Sequence, residues 1–256
     1  MVIALSASGF AAWVISNDAN KTTDGSVQVG AVTDKAIEMT EIVFDSDIKN
    51  IVFEPKATDR TGRVQYDGTP ANSENLQVTF STTIKNFSVV KDLYLDFNNI
   101  PAGVKAAIKA GYIVAPSWLA VSDDGTITGT TEKIVENYVV QTAAEGETLS
   151  WTLSEPVNNE VTLRFTIRFE WGEKFGAQNP GDYYDTGAGG QKDEDGNYLI
   201  SFDELRQELH TFKAIMHGIT LEEYLENYYN PYAAGDAAAL DALPEITYEF
   251  TLYARA

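Results

Sequence analysis

The chain contains no cysteine and only two histidines, His210 and His217, in 256 residues. Without cysteine there can be no disulfide, no thiolate metal site and no cysteine nucleophile. On one helix face, a spacing of seven places the two histidines roughly 10 Å apart, too far to bind the same zinc ion. The chain also lacks a glycine-rich phosphate loop and a nucleophile-elbow serine. We therefore expect packing or surface histidines, and a protein that is not an enzyme.

Positive charge is also scarce. The 18 lysines and arginines are outnumbered by 38 aspartates and glutamates, so the net charge is −20. Nucleic acids and anionic membrane surfaces bind to clustered cations, so this balance argues against both as partners. Hydrophobic residues make up 44% of the chain, which excludes a disordered acidic tail. We expect a folded acidic protein with an ample core.

The N-terminal stretch is a long run without charge. Residues 1–16 carry no charged side chain, and the first cation is Lys21. The run predicts either a residual secretory signal sequence that lacks a basic start, or an apolar segment buried in its own sheet or in a neighbouring subunit. It is shorter than the about 20 apolar residues that a membrane helix needs. We therefore expect no stable membrane span in the mature form.

From Ser26 onward, alternation of apolar and polar residues predicts many short strands. The clearest is Val161–Trp171, and Ile246–Ala254 repeats its design at the end of the chain. No βαβ rhythm is present, so we expect an all-β fold in residues 17–256, a jelly-roll-like antiparallel β-sandwich. We expect Val161–Trp171 and Ile246–Ala254 to pair with each other.

Between these two strands, Gly172–Pro244 has a different character, and we predict a helical insertion before the last strand. Ser201-Phe-Asp-Glu204 and Thr220-Leu-Glu-Glu223 are capping boxes, each of which opens a helix. The first helix is expected to run to about Met216. The second is expected to end before Pro231, because proline disfavours helix in the residue that precedes it.

One loop of the insertion has the oxygen-ligand spacing of a calcium site. Asp193, Asp195 and Asn197, followed by Glu204, match ligand positions of an EF-hand loop. The position that needs glycine is Tyr198, and no helix precedes the loop. We favour a turn followed by a helix cap, with Glu204 as the cap partner, and keep a weak calcium site as the alternative. No other cofactor is expected.

Tyrosines are concentrated in and beside the insertion. They are Tyr183, Tyr184, Tyr224, Tyr228, Tyr229 and Tyr232. Aromatic surfaces of this kind stack on sugars or bury in interfaces, and they also pack helices onto sheets. A cell-surface carbohydrate-binding module that uses this insertion, with surface glycans as partners, is therefore our alternative function.

Two stretches resemble the TasA/camelysin family of exported bacterial proteins. The first is Gly9-Phe-Ala-Ala-Trp-Val-Ile-Ser-Asn-Asp18, followed by a polar gap and the glycine-containing strand Ser26–Val32. The second is Leu76–Asn86, which resembles a strand that recurs in the family. The resemblance implies a jelly-roll subunit of extracellular filaments in biofilm matrix. It also implies assembly by donor-strand complementation, in which an N-terminal strand fills a groove in the next subunit.

We therefore predict a secreted structural protein, at the cell surface or outside the cell, whose partners are other copies of itself. The donor segment is expected within Val2–Ser16, and its candidate anchors are Ile3, Leu5, Phe10, Trp13 and Ile15. Which alternate set faces the groove depends on the register. A helix bundled at a filament axis is the other conformation open to this segment. Head-to-tail insertion does not close on itself, so it produces filaments.

Overall fold

The computed structural model describes residues 25–45, 50–55, 74–142, 148–184, 202–236 and 238–256, except for the side chains of Asn98, Tyr184 and Phe202. The strands within these ranges are β1 Ser26–Thr33, β2 Glu38–Met39, β3 Val43–Phe44, β4 Gln77–Lys85, β5 Asp92–Asn99, β6 Leu119–Val121, β7 Ile127–Gly129, β8 Thr131–Glu136, β9 Val139–Val140, β10 Leu149–Leu153, β11 Glu160–Arg168 and β12 Thr247–Arg255.

The helices together contain fewer residues than the strands. They are α1 Ala102–Lys109, α2 Pro180–Tyr184, α3 Phe202–Met216, α4 Leu221–Tyr224 and α5 Asn230–Ala233, with a π-helical segment at Leu225–Tyr229 and 3₁₀ turns at Phe87–Val89, Glu173–Phe175 and Leu240–Ala242. Among the helices in the described ranges, none has the length and hydropathy needed to cross a membrane.

Most strands belong to two sheets. Sheet I has the order β1-β12-β5-β8-β9, and sheet II has the order β10-β11-β4-β2, with β3 also paired to β4. All pairs are antiparallel except β1 with β12, which run parallel. Inward-facing side chains of both sheets join one buried core. The predicted β-rich class with antiparallel sheets is therefore confirmed.

The predicted pairing of the two clearest strands is wrong. β11 lies between β10 and β4 in sheet II, whereas β12 lies between β1 and β5 in sheet I. The alternation does identify the inward faces, because Phe165 on β11 and Phe250 on β12 are almost fully buried. Alternation shows which side of a strand faces the core, but it carries no information about the neighbouring strand.

Helices α2 to α5 occupy the chain between β11 and β12. Thr220 caps α4, since its Oγ1 accepts a hydrogen bond from the Glu223 N–H at 3.1 Å. The helix does not end before Pro231, as the sequence predicted, but continues through the π-helical segment into α5. Pro231 is the second residue of α5, just after the π-helical segment, where the regular i→i−4 hydrogen-bond ladder is already interrupted.

Helix α1 was not predicted. It follows β5, and its Gly103 touches α3 so closely that an added Cβ would lie 2.1 Å from the carbonyl oxygen of Met216. The next stretch, Gly111–Val121, was expected to form one strand. Only β6 and an isolated bridge between Ile113 and Trp171 are present in it.

Candidate functional site

The first strand is the edge of sheet I in the part of the chain that the structure describes. β1 is eight residues long, Ser-Val-Gln-Val-Gly-Ala-Val-Thr, with neither charge nor proline. Edge strands in soluble proteins normally carry lysine, proline or a bulge, because an unpaired edge accepts strands from other chains. β1 therefore lacks the usual protection at the position where a further strand would add.

The hydrogen-bond direction along β1 follows from its two ends. Asp34 donates its N–H to the Ala254 oxygen of β12 at 3.1 Å, whereas the Gly25 oxygen, on the opposite side, accepts the Ile51 N–H at 2.6 Å. Backbone groups alternate sides along a strand, so those of Val29 and Ala31 point away from β12. Within the described ranges, no strand pairs with β1 on that side.

At the start of β1, residues Asn50 and Ile51 occupy the side that faces away from β12. Ser26 forms an isolated antiparallel bridge with Asn50, and an added Cβ on Gly25 would lie 1.7 Å from the Ile51 oxygen. Gly25 also has a φ of +71°, which side chains other than glycine rarely adopt. In the described part of the chain, the unpaired edge therefore begins after Ser26 and extends to the end of β1.

Apolar side chains already line the core beside this edge. Val27, Val29 and Ala31 are buried beneath β1, and Met39 and Phe44 are buried on the short strands at the facing edge of sheet II. A strand that added to β1 would continue the same alternation, with every second side chain directed toward this apolar layer. We refer to the outward side of Val27–Thr33 as the β1 edge.

The predicted anchors Ile3, Leu5, Phe10, Trp13 and Ile15 lie outside the described residues. The structure therefore describes the β1 edge but not the N-terminal segment that we expect to bind such an edge. The register of that segment stays a prediction.

Three of the four predicted calcium ligands, Asp193, Asp195 and Asn197, also lie outside the described residues. Glu204 is exposed in the first turn of α3. The described ranges contain no group of three or more acidic, histidine or cysteine side chains arranged to hold a metal ion. The calcium site therefore stays a prediction.

The tyrosines of the insertion pack largely inward. Tyr224 is fully buried, and Tyr183, Tyr228, Tyr229 and Tyr232 are half-buried. The Tyr229 ring contacts the ring of His210, with their centroids 4.2 Å apart. His217, the second histidine, is also buried, and its Nδ1 lies 2.7 Å from the Pro244 oxygen. Both histidines therefore have packing roles.

Two polar contacts between the insertion and the rest of the fold were not predicted. The Lys213 ammonium on α3 forms an ion pair with Glu54, whose exposure is 0%. The hydroxyl of Tyr112, which follows α1, donates a hydrogen bond to Glu208 on α3. Lys213 lies between the buried residues Phe212 and Ala214 of α3. A lysine flanked by core residues was the sequence signal that could have indicated a buried ion pair.

Other edges of the sheets differ from β1. β9 ends sheet I on the far side, but it is only two residues long, and its Val139 and Val140 are 61% and 49% exposed. β10 ends sheet II with polar, exposed Ser150 and Thr152. β1 combines the greatest length of these edge strands with an apolar inward face.

No family model, no curated protein and no solved structure matches this chain. The function is therefore argued from the residues and the geometry described above.

Proposed function

We propose that this protein is the structural subunit of an extracellular, pilus-like or matrix filament, in which the N-terminal segment of one copy adds as a strand to the β1 edge of the next. The observation that carries the proposal is the β1 edge itself. It is a long, uncharged strand edge beside a buried apolar layer, without the residues that normally prevent strand addition.

The sequence of the N-terminal segment is suited to this role. Residues 1–16 are uncharged and apolar, so an inserted strand would gain backbone hydrogen bonds from the edge and bury alternate side chains. Insertion into a second copy leaves the β1 edge of the first copy free for a third. Such head-to-tail contacts generate an open filament rather than a closed ring. We also propose that the strands are connected as in a jelly roll.

The acidic exterior supports a polymer that stays in solution. A net charge of −20 keeps neighbouring filaments apart by repulsion. The β1 strand carries no charged residue, so this repulsion is not concentrated where the proposed contact forms.

The first test compares the full chain with a variant that begins at Asn17, by sedimentation and negative-stain microscopy. We expect filaments only from the full chain. A peptide of Val2–Ser16 should bind the shortened variant and raise its melting temperature, because a ligand that binds only the folded state stabilises it. The proposal is wrong if both proteins form filaments, or if both stay monomeric and the peptide has no effect.

A second variant tests the edge rather than the segment. Ala31→Pro removes one N–H that points away from β12, so it leaves the pairing of β1 with β12 intact. We expect it to abolish filaments, while Ala31→Ser, which keeps that N–H, forms them normally. Far-UV circular dichroism establishes that each variant is folded.

A further inference from the structure

The outer face of sheet I, which points away from the core, contains a cleft that the filament proposal does not use. Its volume is about 210 Å³. It is lined by Asp92 and Tyr94 on β5, Lys133, Val135 and Glu136 on β8, and Arg255 on β12. We refer to this as the sheet I cleft.

Tyr94, which lines the sheet I cleft, belongs to an aromatic pair. Tyr94 and Tyr253 are directly opposite each other on neighbouring strands, and their rings stack with centroids 5.0 Å apart at an angle of 17°. The Arg255 guanidinium lies 5.5 Å from the centroid of the Tyr94 ring. These contacts hold the Tyr94 ring and the Arg255 side chain in place before any ligand arrives.

Charged groups of both signs surround this ring. Asp92 accepts a hydrogen bond from the Asn137 N–H through one carboxylate oxygen, at 3.0 Å. Lys133 forms a hydrogen-bonded ion pair with Glu136. The hydrogen bond and the negative charge of Glu136 raise the pKa of Lys133, which stays an ammonium group. Arg255 has no carboxylate within ion-pair distance in the described part of the chain. Two anions and two cations leave the lining neutral, although the whole chain carries −20.

This combination matches the chemistry of a sugar ring. Hydroxyl groups donate to carboxylates and accept from ammonium and guanidinium groups, and the C–H face of a sugar packs on an aromatic ring. A neutral lining favours a neutral ligand over a nucleotide or an acidic peptide. The cleft is smaller than the roughly 300–1,000 Å³ of sites for drug-sized molecules, so it suits one ring of a longer chain.

We propose that the sheet I cleft binds a single neutral sugar unit, free or within a polysaccharide, with Tyr94 as the stacking platform and Asp92, Lys133 and Arg255 as hydrogen-bonding groups. This site lies on the sheet and not in the tyrosine-rich insertion. It is independent of the filament contact at the β1 edge.

The test uses saturation-transfer NMR on the full chain, which reports ligand binding whether the protein is monomeric or polymerised. The probes are glucose, N-acetylglucosamine and galactose, each as the monosaccharide and as its linear tetrasaccharide. We expect saturation transfer to at least one of these sugars, centred on one ring. Binding of the tetrasaccharide but not of the monosaccharide identifies a polysaccharide as the ligand, and equal binding identifies the free sugar.

Variants locate the binding. Arg255→Ala and Asp92→Asn should each weaken the affinity about tenfold, as expected for losing hydrogen bonds to a charged group. Tyr94→Leu should abolish binding, while Tyr94→Phe keeps the ring and the affinity. Arg164→Ala is the matched control, because it removes an exposed arginine from β11 in the other sheet. The proposal is overturned if no probe binds, if the cleft variants bind like the control, or if Tyr228→Leu and Tyr232→Leu in the insertion abolish binding instead.

Discussion

At the residue scale, the ion pair between Lys213 and Glu54 connects α3 to the segment that bridges onto β1. Lys213 is 5% exposed and Glu54 is 0% exposed, so neither charge can be solvated by bulk water. Asn179, also buried, donates a hydrogen bond to the Glu54 oxygen of the backbone at 2.8 Å. The helical insertion is therefore attached to the sheets through a buried polar contact as well as through apolar packing.

Removing one member of this pair should destabilise the protein strongly. Lys213→Met leaves the Glu54 carboxylate buried without its ammonium partner, and we expect a loss of about 3–5 kcal/mol in the free energy of unfolding. Replacing both residues, as Glu54→Leu with Lys213→Met, should lose less than the single variant. Urea unfolding measures both. Lys85→Met, which removes an exposed ion pair with Glu38, is the control and should leave stability nearly unchanged.

Tyr112 predicts a pH dependence at the alkaline end. Burial, together with the hydrogen bond to Glu208 and its negative charge, raises the pKa of the Tyr112 phenol in the folded protein. An unfolded tyrosine ionises near pH 10, so above that pH the unfolded state binds fewer protons than the folded state. This contribution to stability is complete below about pH 10 and is lost as the pH rises toward the pKa of the folded state.

We therefore expect the stability of Tyr112→Phe to fall less steeply above about pH 10 than that of the unchanged chain. Urea unfolding at a series of alkaline pH values measures this slope. Tyr138→Phe, at the exposed tip of the β8–β9 hairpin, is the control. Equal slopes for all three proteins would contradict the assignment.

At the element scale, the contact between α1 and α3 depends on a single glycine. An added Cβ on Gly103 would meet the backbone of Met216, which cannot move aside as a flexible side chain could. We expect Gly103→Ala to lower the free energy of unfolding by about 1–3 kcal/mol. Gly30→Ala is the matched control, since nothing lies within 4 Å of its added Cβ, and it should be neutral or stabilising. Thermal unfolding distinguishes the two.

Local signals in the sequence predicted individual helices and strands better than they predicted which strands pair with each other. The alternation in β11, the cap at Thr220 and the end of α3 at Met216 all depend on residues close together in the chain, and the structure contains each. The parallel pairing of β1 with β12 joins residues more than 200 positions apart, such as Ser26 and Thr247. Such a pairing leaves no mark in either strand alone, because both would alternate in the same way beside any neighbour.

Helix α1 was missed for a related reason. Its eight residues include Gly103 and Val104, which have low helix propensity, and its N-terminus has no side-chain cap. Packing against α3 supplies the stability that local propensity lacks. The β1 edge could be predicted as a strand but not as an edge, since edge position is decided by the whole sheet.

At the scale of the whole molecule, sheet I carries two proposed binding regions. In the proposed filament, the β1 edge contacts the next subunit, whereas the sheet I cleft, between β5, β8 and β12, lies on the outer face of the sheet. A filament built in this way would repeat one sugar site per subunit along its length. Repetition of a weak site raises the overall avidity for a polysaccharide.

The central claim is most directly tested by disulfide cross-linking, because the chain has no cysteine of its own. Gln28→Cys places one thiol on β1, and a second cysteine is introduced in turn at each position from Val2 to Ser16. We expect ladders of cross-linked polymer on non-reducing gels at one position of the scan, the one directly opposite Gln28, and none at its two neighbours, because their side chains point to the other face and disulfides form only between close Cβ atoms. A matched series replaces Gln28→Cys with Ser150→Cys on β10 at the other sheet edge. Filaments that cross-link through Ser150→Cys, or through neither site, would contradict donor-strand addition at the β1 edge.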